Sequence, residues 1–108
     1  MIKVKILDRD WKFYILSEDS FQRRFGEHDS AVTLPDSREV FFCTDHLAQN
    51  VVFHEVWHVY RATMLTQSAS ITPEQEEEIS AEMFSEYGNK MIRMSRILYK
   101  ELRDEDGQ

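Results

Sequence analysis

Residues 51–62 read Val-Val-Phe-His-Glu-Val-Trp-His-Val-Tyr-Arg-Ala, and they constrain the fold more than any other stretch. Val51, Val52, Phe53, Val56, Trp57, Val59 and Tyr60 would surround a helix on nearly every side. A helix that is apolar all round is a buried one. Burial then makes a chemical demand, because His54, Glu55 and His58 need partners once removed from water. On a helix, residues four apart share a face, so His54 and His58 can offer two imidazoles to one metal ion. Glu55 projects about 100° around the axis, close enough to contact a metal-bound water without being a ligand. The competing reading is a pair of core histidines hydrogen-bonded to neighbours, with Glu55 at a surface edge.

A chain of 108 residues that is 42% hydrophobic supports one domain with a modest core, expected over residues 1–103. Its net charge of -7 argues against a general binder of nucleic acid or anionic membrane. The single cysteine, Cys43, leaves no intrachain disulfide, which fits a reducing cytoplasm. Following Phe41-Phe42, it reads as a small core residue rather than a ligand or nucleophile. The opening Met1-Ile2-Lys3-Val4-Lys5 is too charged and alternating for a signal peptide, and no apolar run approaches membrane-spanning length. The acidic residues 104–108 read as a frayed tail.

Ile2, Val4 and Ile6 alternate with lysines, the pattern of a half-buried strand. Asp8-Arg9-Asp10 signals a turn. Trp11, Phe13 and Ile15 alternate with Lys12, Tyr14 and Leu16, a hairpin partner for the first strand. Residues 17–24 are polar, with Phe21 and Phe25 four apart, and predict one or two helical turns stopped by Gly26. Residues 31–34 predict a third strand. Pro35-Asp36-Ser37 is a turn, and residues 40–43 are a fourth strand apolar enough to be interior. Asp45 is placed to cap the motif helix, which should run from His46 or Leu47 to about Met64, with a linker over residues 66–71.

Thr72-Pro73-Glu74-Gln75 is a strong helix start, with Thr at the cap, Pro first and Gln closing a capping box. Lys90, Arg93, Arg96, Lys100 and Arg103 recur every three or four residues as a solvated basic stripe. Unbroken over residues 73–103, this helix would be roughly 45 Å long at about 1.5 Å per residue. Either Gly88-Asn89 breaks it or its distal end packs on another chain, giving a homo-oligomer. The expected class is therefore α+β: a small antiparallel or mixed sheet from the N-terminal half, packed on the motif helix and a long C-terminal helix.

Two histidines leave a catalytic zinc site one protein ligand short. The acidic run Glu76-Glu77-Glu78 can supply it. Ser80, Met83, Phe84, Tyr87, Met91 and Leu98 mark the inner face of the long helix. Glu77 borders that set, with Ser80, Phe84 and Met91 at +3, +7 and +14, so periodicity selects Glu77 as the third ligand.

A β-rich N-terminal half, a His-Glu-x-x-His helix and a downstream Glu-bearing helix together resemble the gluzincin side of the zincin metallopeptidases. The likeness is to small phage-type and ImmA/IrrE-type proteins, and it covers about residues 2–92, with His54-Glu55-Val56-Trp57-His58 as its sharp motif. The resemblance implies that His54 and His58 bind zinc, that Glu55 is the general base, and that a glutamate on the next helix completes the site. A family pattern similar to Glu78-Ile79-Ser80-Ala81-Glu82-Met83-Phe84-Ser85 would make Glu78 that glutamate and Glu82 a partner of a ligand histidine, but the match departs at Glu82 and Ser85. The implied activity is zinc-dependent hydrolysis of peptide bonds in a peptide or protein substrate. The substrate would lie along an exposed edge strand, either 31–34 or 40–43. Tyr60, Tyr87, His28 and His46 are available as oxyanion donors, and none is assigned. The alternative is a non-enzymatic interaction module in which zinc stabilises a small core.

Overall fold

A computed structural model describes residues 1–26, 29–65 and 72–106. Four strands, β1 (Ile2–Ile6), β2 (Arg9–Leu16), β3 (Ala31–Leu34) and β4 (Glu39–Cys43), form one mixed sheet in the order β1-β2-β4-β3. Three helices accompany it: α1 (Glu18–Phe25), α2 (Gln49–Leu65) and α3 (Pro73–Glu105). The class is α+β, as the residue patterns required.

β1 and β2 form the expected antiparallel hairpin, with Ile6 opposite Arg9. The turn is Leu7-Asp8, one residue earlier than Asp8-Arg9-Asp10 suggested. Both residues take positive φ, 50° and 65°, as a two-residue primed turn demands. Leu7 tolerates this unfavourable conformation because its side chain packs on the core. The chain then passes through α1, which Ser17 caps by accepting a hydrogen bond from the Ser20 N–H and Gly26 ends at φ 95°. β3 runs along the far edge, and β4 returns between β3 and β2, antiparallel to the first and parallel to the second.

Period-two alternation sends side chains to two different cores. Phe13, Val40 and Phe42 are fully buried on one face, against Val52, Val56 and Val59 of α2 and Met83, Met91, Leu98 and Leu102 of α3. Phe41 and Cys43 point the other way and pack with Phe21 of α1. There Tyr14 stacks on Phe41 at 4.7 Å, with the Arg24 guanidinium 4.3 Å above the Phe41 ring. After Glu39, β4 is apolar because it is covered on both faces. Cys43 is a core residue, as read.

Two expectations about the helices are corrected, and one of the two alternatives for α3 is removed. Asp45 does not cap α2; Thr44–His46 forms a short 3-10 turn, and the motif helix starts at Gln49. Leaving the sheet, the chain uses that turn to change direction, and the Ala48 carbonyl accepts the early helical N–H of Val52. Gly88-Asn89 does not interrupt α3, which is continuous for 33 residues. Gly88 is buried and helical, and as glycine keeps both its N–H and its C=O it costs helix propensity without breaking the hydrogen-bond ladder. Asp104 and Glu105, assigned to a frayed tail, are helical. Asp106 accepts a hydrogen bond from Thr44 at 3.0 Å, tying the end of α3 to the chain leaving β4. The Thr72 capping box with Pro73 and Gln75 forms as read. The linker assigned to residues 66–71 lies outside the described residues.

Candidate metal centre

α2 packs on the sheet through its valine face, with its histidine-bearing side next to the edge strand β3. Val52, Val56 and Val59 turn inward and are fully buried, whereas His54 is exposed. The wholly buried helix expected from composition is therefore half right, because the histidine face overhangs the sheet edge and borders an open cleft of about 720 Å³. Thr33, His54, Glu55, His58 and Arg61 line it, with Asp29 and Asp36 at either end of β3.

The two imidazoles meet there, with His54 Nε2 and His58 Nε2 3.0 Å apart. Glu55 is 6% exposed, and its Oε2 lies 3.9 Å from His54 Nε2. One donor atom from each of His54, Glu55 and His58 falls within 4.8 Å of the other two, close enough to hold a metal ion. Two nitrogens bound to one tetrahedral zinc at about 2.0–2.1 Å would stand roughly 3.3 Å apart, so the pair needs little adjustment to share an ion. The other carboxylate oxygen, Glu55 Oε1, accepts a hydrogen bond from Thr33 Oγ1 at 2.8 Å. This bond partly offsets the cost of burying the carboxylate and fixes its rotation.

Of the acidic run on α3, Glu77 and Glu78 are exposed, and neither joins the cluster formed by the histidines and Glu55. Glu76 is half-buried and forms an ion pair with Arg61. Arg61 follows His54 and His58 at +7 and +3, on the same helical face, and lines the same cleft. Sequence reasoning included Glu76 in the acidic run without choosing it and passed over Arg61, although the +7 spacing from His54 was a usable signal for that residue.

The remaining candidates go elsewhere. Tyr60 and Tyr87 pair at 5.8 Å and line a separate groove beside β1. His46 is exposed on the turn before α2, and His28 lies outside the described residues. Phe84, expected on the inner face of α3, is 50% exposed and lies against Trp57 of α2 at 6.0 Å. Of the two strands offered as a substrate edge, β3 is the edge and β4 is interior.

No protein-family model, curated protein or solved structure matches this chain. The chain presents a His-Glu-x-x-His group close enough to hold a metal ion, on a helix beside an open sheet edge. No described helix is long and apolar enough to cross a membrane.

Proposed function

We propose that this chain is a zinc-dependent peptidase built on a minimal zincin core. The observation that carries the reading is the meeting of His54 Nε2 and His58 Nε2 at 3.0 Å beside the buried Glu55 carboxylate, under an edge strand. His54 and His58 would hold the metal. Zinc, when bound, would supply a water acidified towards neutral pH and a positive charge beside the substrate carbonyl. Glu55 takes the proton as water attacks and delivers it to the leaving amine. Thr33 holds Oε1 in place, so the carboxylate does not need to reorganise during that transfer. Arg61 brings a cation into the cleft that can face the oxyanion. The open edge of β3 offers main-chain donors and acceptors to an extended peptide.

A third protein ligand would come from the start of α3. Glu77 is the choice of helical periodicity. Glu76 is favoured by a different observation, since its carboxylate already contacts Arg61 on the histidine face of α2.

The test combines metal content with cleavage. Purified protein is assayed for zinc by mass spectrometry, and wild type is compared with Glu55→Gln and His58→Ala on a peptide library. Stoichiometric zinc, cleavage by wild type and loss of cleavage in Glu55→Gln are expected. A zinc-loaded wild type that cleaves nothing, or a Glu55→Gln variant as active as wild type, would reject catalysis and favour a zinc-stabilised interaction module.

A further inference from the structure

The sheet has a second open edge, β1, on the far side from β3. A groove of about 910 Å³ runs between β1 and α3. Its floor is apolar, with Ile2 and Val4 from the strand and Tyr87, Met94 and Ile97 from the helix. Ile97 is 58% exposed, the most exposed large apolar side chain among the described residues. On the helix side the rim carries Lys90 and Arg93 together with Glu101, and Asp8 stands at the hairpin end.

The hairpin register decides what could fill this groove. Ile6 and Arg9 flank a two-residue turn and so form a hydrogen-bonded pair. In an antiparallel ladder these pairs alternate, which turns the main-chain groups of Ile2, Val4 and Ile6 towards β2 and those of Lys3 and Lys5 outward. A strand added to this edge would therefore pair with Lys3 and Lys5. Its residues opposite those lysines would share their exposed face, and its residues opposite Ile2, Val4 and Ile6 would drop into the groove.

We propose that the β1 edge and the α3 groove bind an extended segment of a partner protein in which apolar and acidic side chains alternate. The apolar set fills the groove, and the acidic set lies against Lys3 and Lys5, with Lys90 and Arg93 adding positive charge at the rim. The four cations lining the groove outnumber its two carboxylates, Asp8 and Glu101, an excess of positive charge on a chain whose net charge is -7. Lys3 has one weak internal contact, to Asp10 at 3.8 Å, with both side chains at least half exposed. A second copy of the chain is the wrong occupant. Pairing β1 with β1 would place lysines opposite lysines, and like charges directly opposed are destabilising.

The test uses the whole zinc-treated chain and three short labelled peptides: alternating valine and glutamate, alternating valine and lysine, and the valine–glutamate composition rearranged into two blocks. Binding is followed by fluorescence anisotropy and by amide chemical shifts. Binding of the alternating valine–glutamate peptide, with shift changes at Lys3 and Lys5, is expected. The Lys3→Glu/Lys5→Glu variant should bind it about tenfold more weakly and prefer the valine–lysine peptide. Ile97→Ser should weaken binding of either alternating peptide while keeping the charge preference. All three substitutions are at exposed positions, and circular dichroism checks that each variant folds. The proposal is overturned by equal binding of the alternating and block peptides, by shift changes at β3 instead of β1, by indifference to the lysine substitutions, or by a dimer that Lys3→Glu/Lys5→Glu alters.

Discussion

Thr33 donates a hydrogen bond to Glu55 across 2.8 Å, joining the edge strand β3 to the carboxylate beside the paired histidines. The bond makes strand and helix one unit, since a displaced β3 would release the group proposed to move the proton. Thr33→Val keeps the shape and removes the donor. We expect kcat to fall about tenfold or more, with KM and zinc affinity nearly unchanged, because a hydrogen bond to a charged group contributes about 1.5–3 kcal/mol. Thr33→Ser should recover most of the rate. A purely structural Thr33 would instead lower stability and leave kcat intact.

Zinc affinity of three single variants, Glu76→Gln, Glu77→Gln and Glu78→Gln, identifies the third ligand. The ligand variant should lose affinity by orders of magnitude, and the other two by less than about tenfold. Glu76→Gln also removes the partner of Arg61, so Arg61→Met serves as its control.

Phe42 sits at the centre of the sheet, fully buried against α2 and α3. Phe42→Ala should cost about 3–5 kcal/mol in urea unfolding and weaken zinc binding by loosening α2 against β3. Thr72→Ala removes the α3 cap and should cost about 1 kcal/mol.

Burial raises the Tyr60 pKa above its ordinary value of 10.0, with the neighbouring Tyr87 adding to the shift. The folded state therefore keeps this proton longer than the unfolded one. Its contribution to stability is complete below pH 10 and is lost as pH rises through the folded value. Urea midpoints should fall in that alkaline range, and Tyr60→Phe should flatten the fall.

Much of this protein is written in short-range pattern. The alternation of Ile2, Val4 and Ile6, the Ser17 and Thr72 caps, and the apolar run of β4 each depend on neighbours within one turn or one pleat. So does the meeting of His54 and His58, which a helix sets through a spacing of four. The start of α2 was misread because a capping residue signals only when the chain is already aimed along the helix. The 3-10 turn at Thr44–His46 depends on where β4 ends relative to α2.

The sequence by itself determined the strands and helices, the Thr72 cap and the two imidazoles on one helical face. Tertiary structure decided which strand is the open edge, that Thr33 reaches Glu55 over 22 residues, and that Arg61 meets Glu76 instead of solvent. The physical reason is the range of the forces involved. Helical periodicity and capping act within a few residues, whereas strand order and the partners of buried polar groups depend on how separate segments share one core.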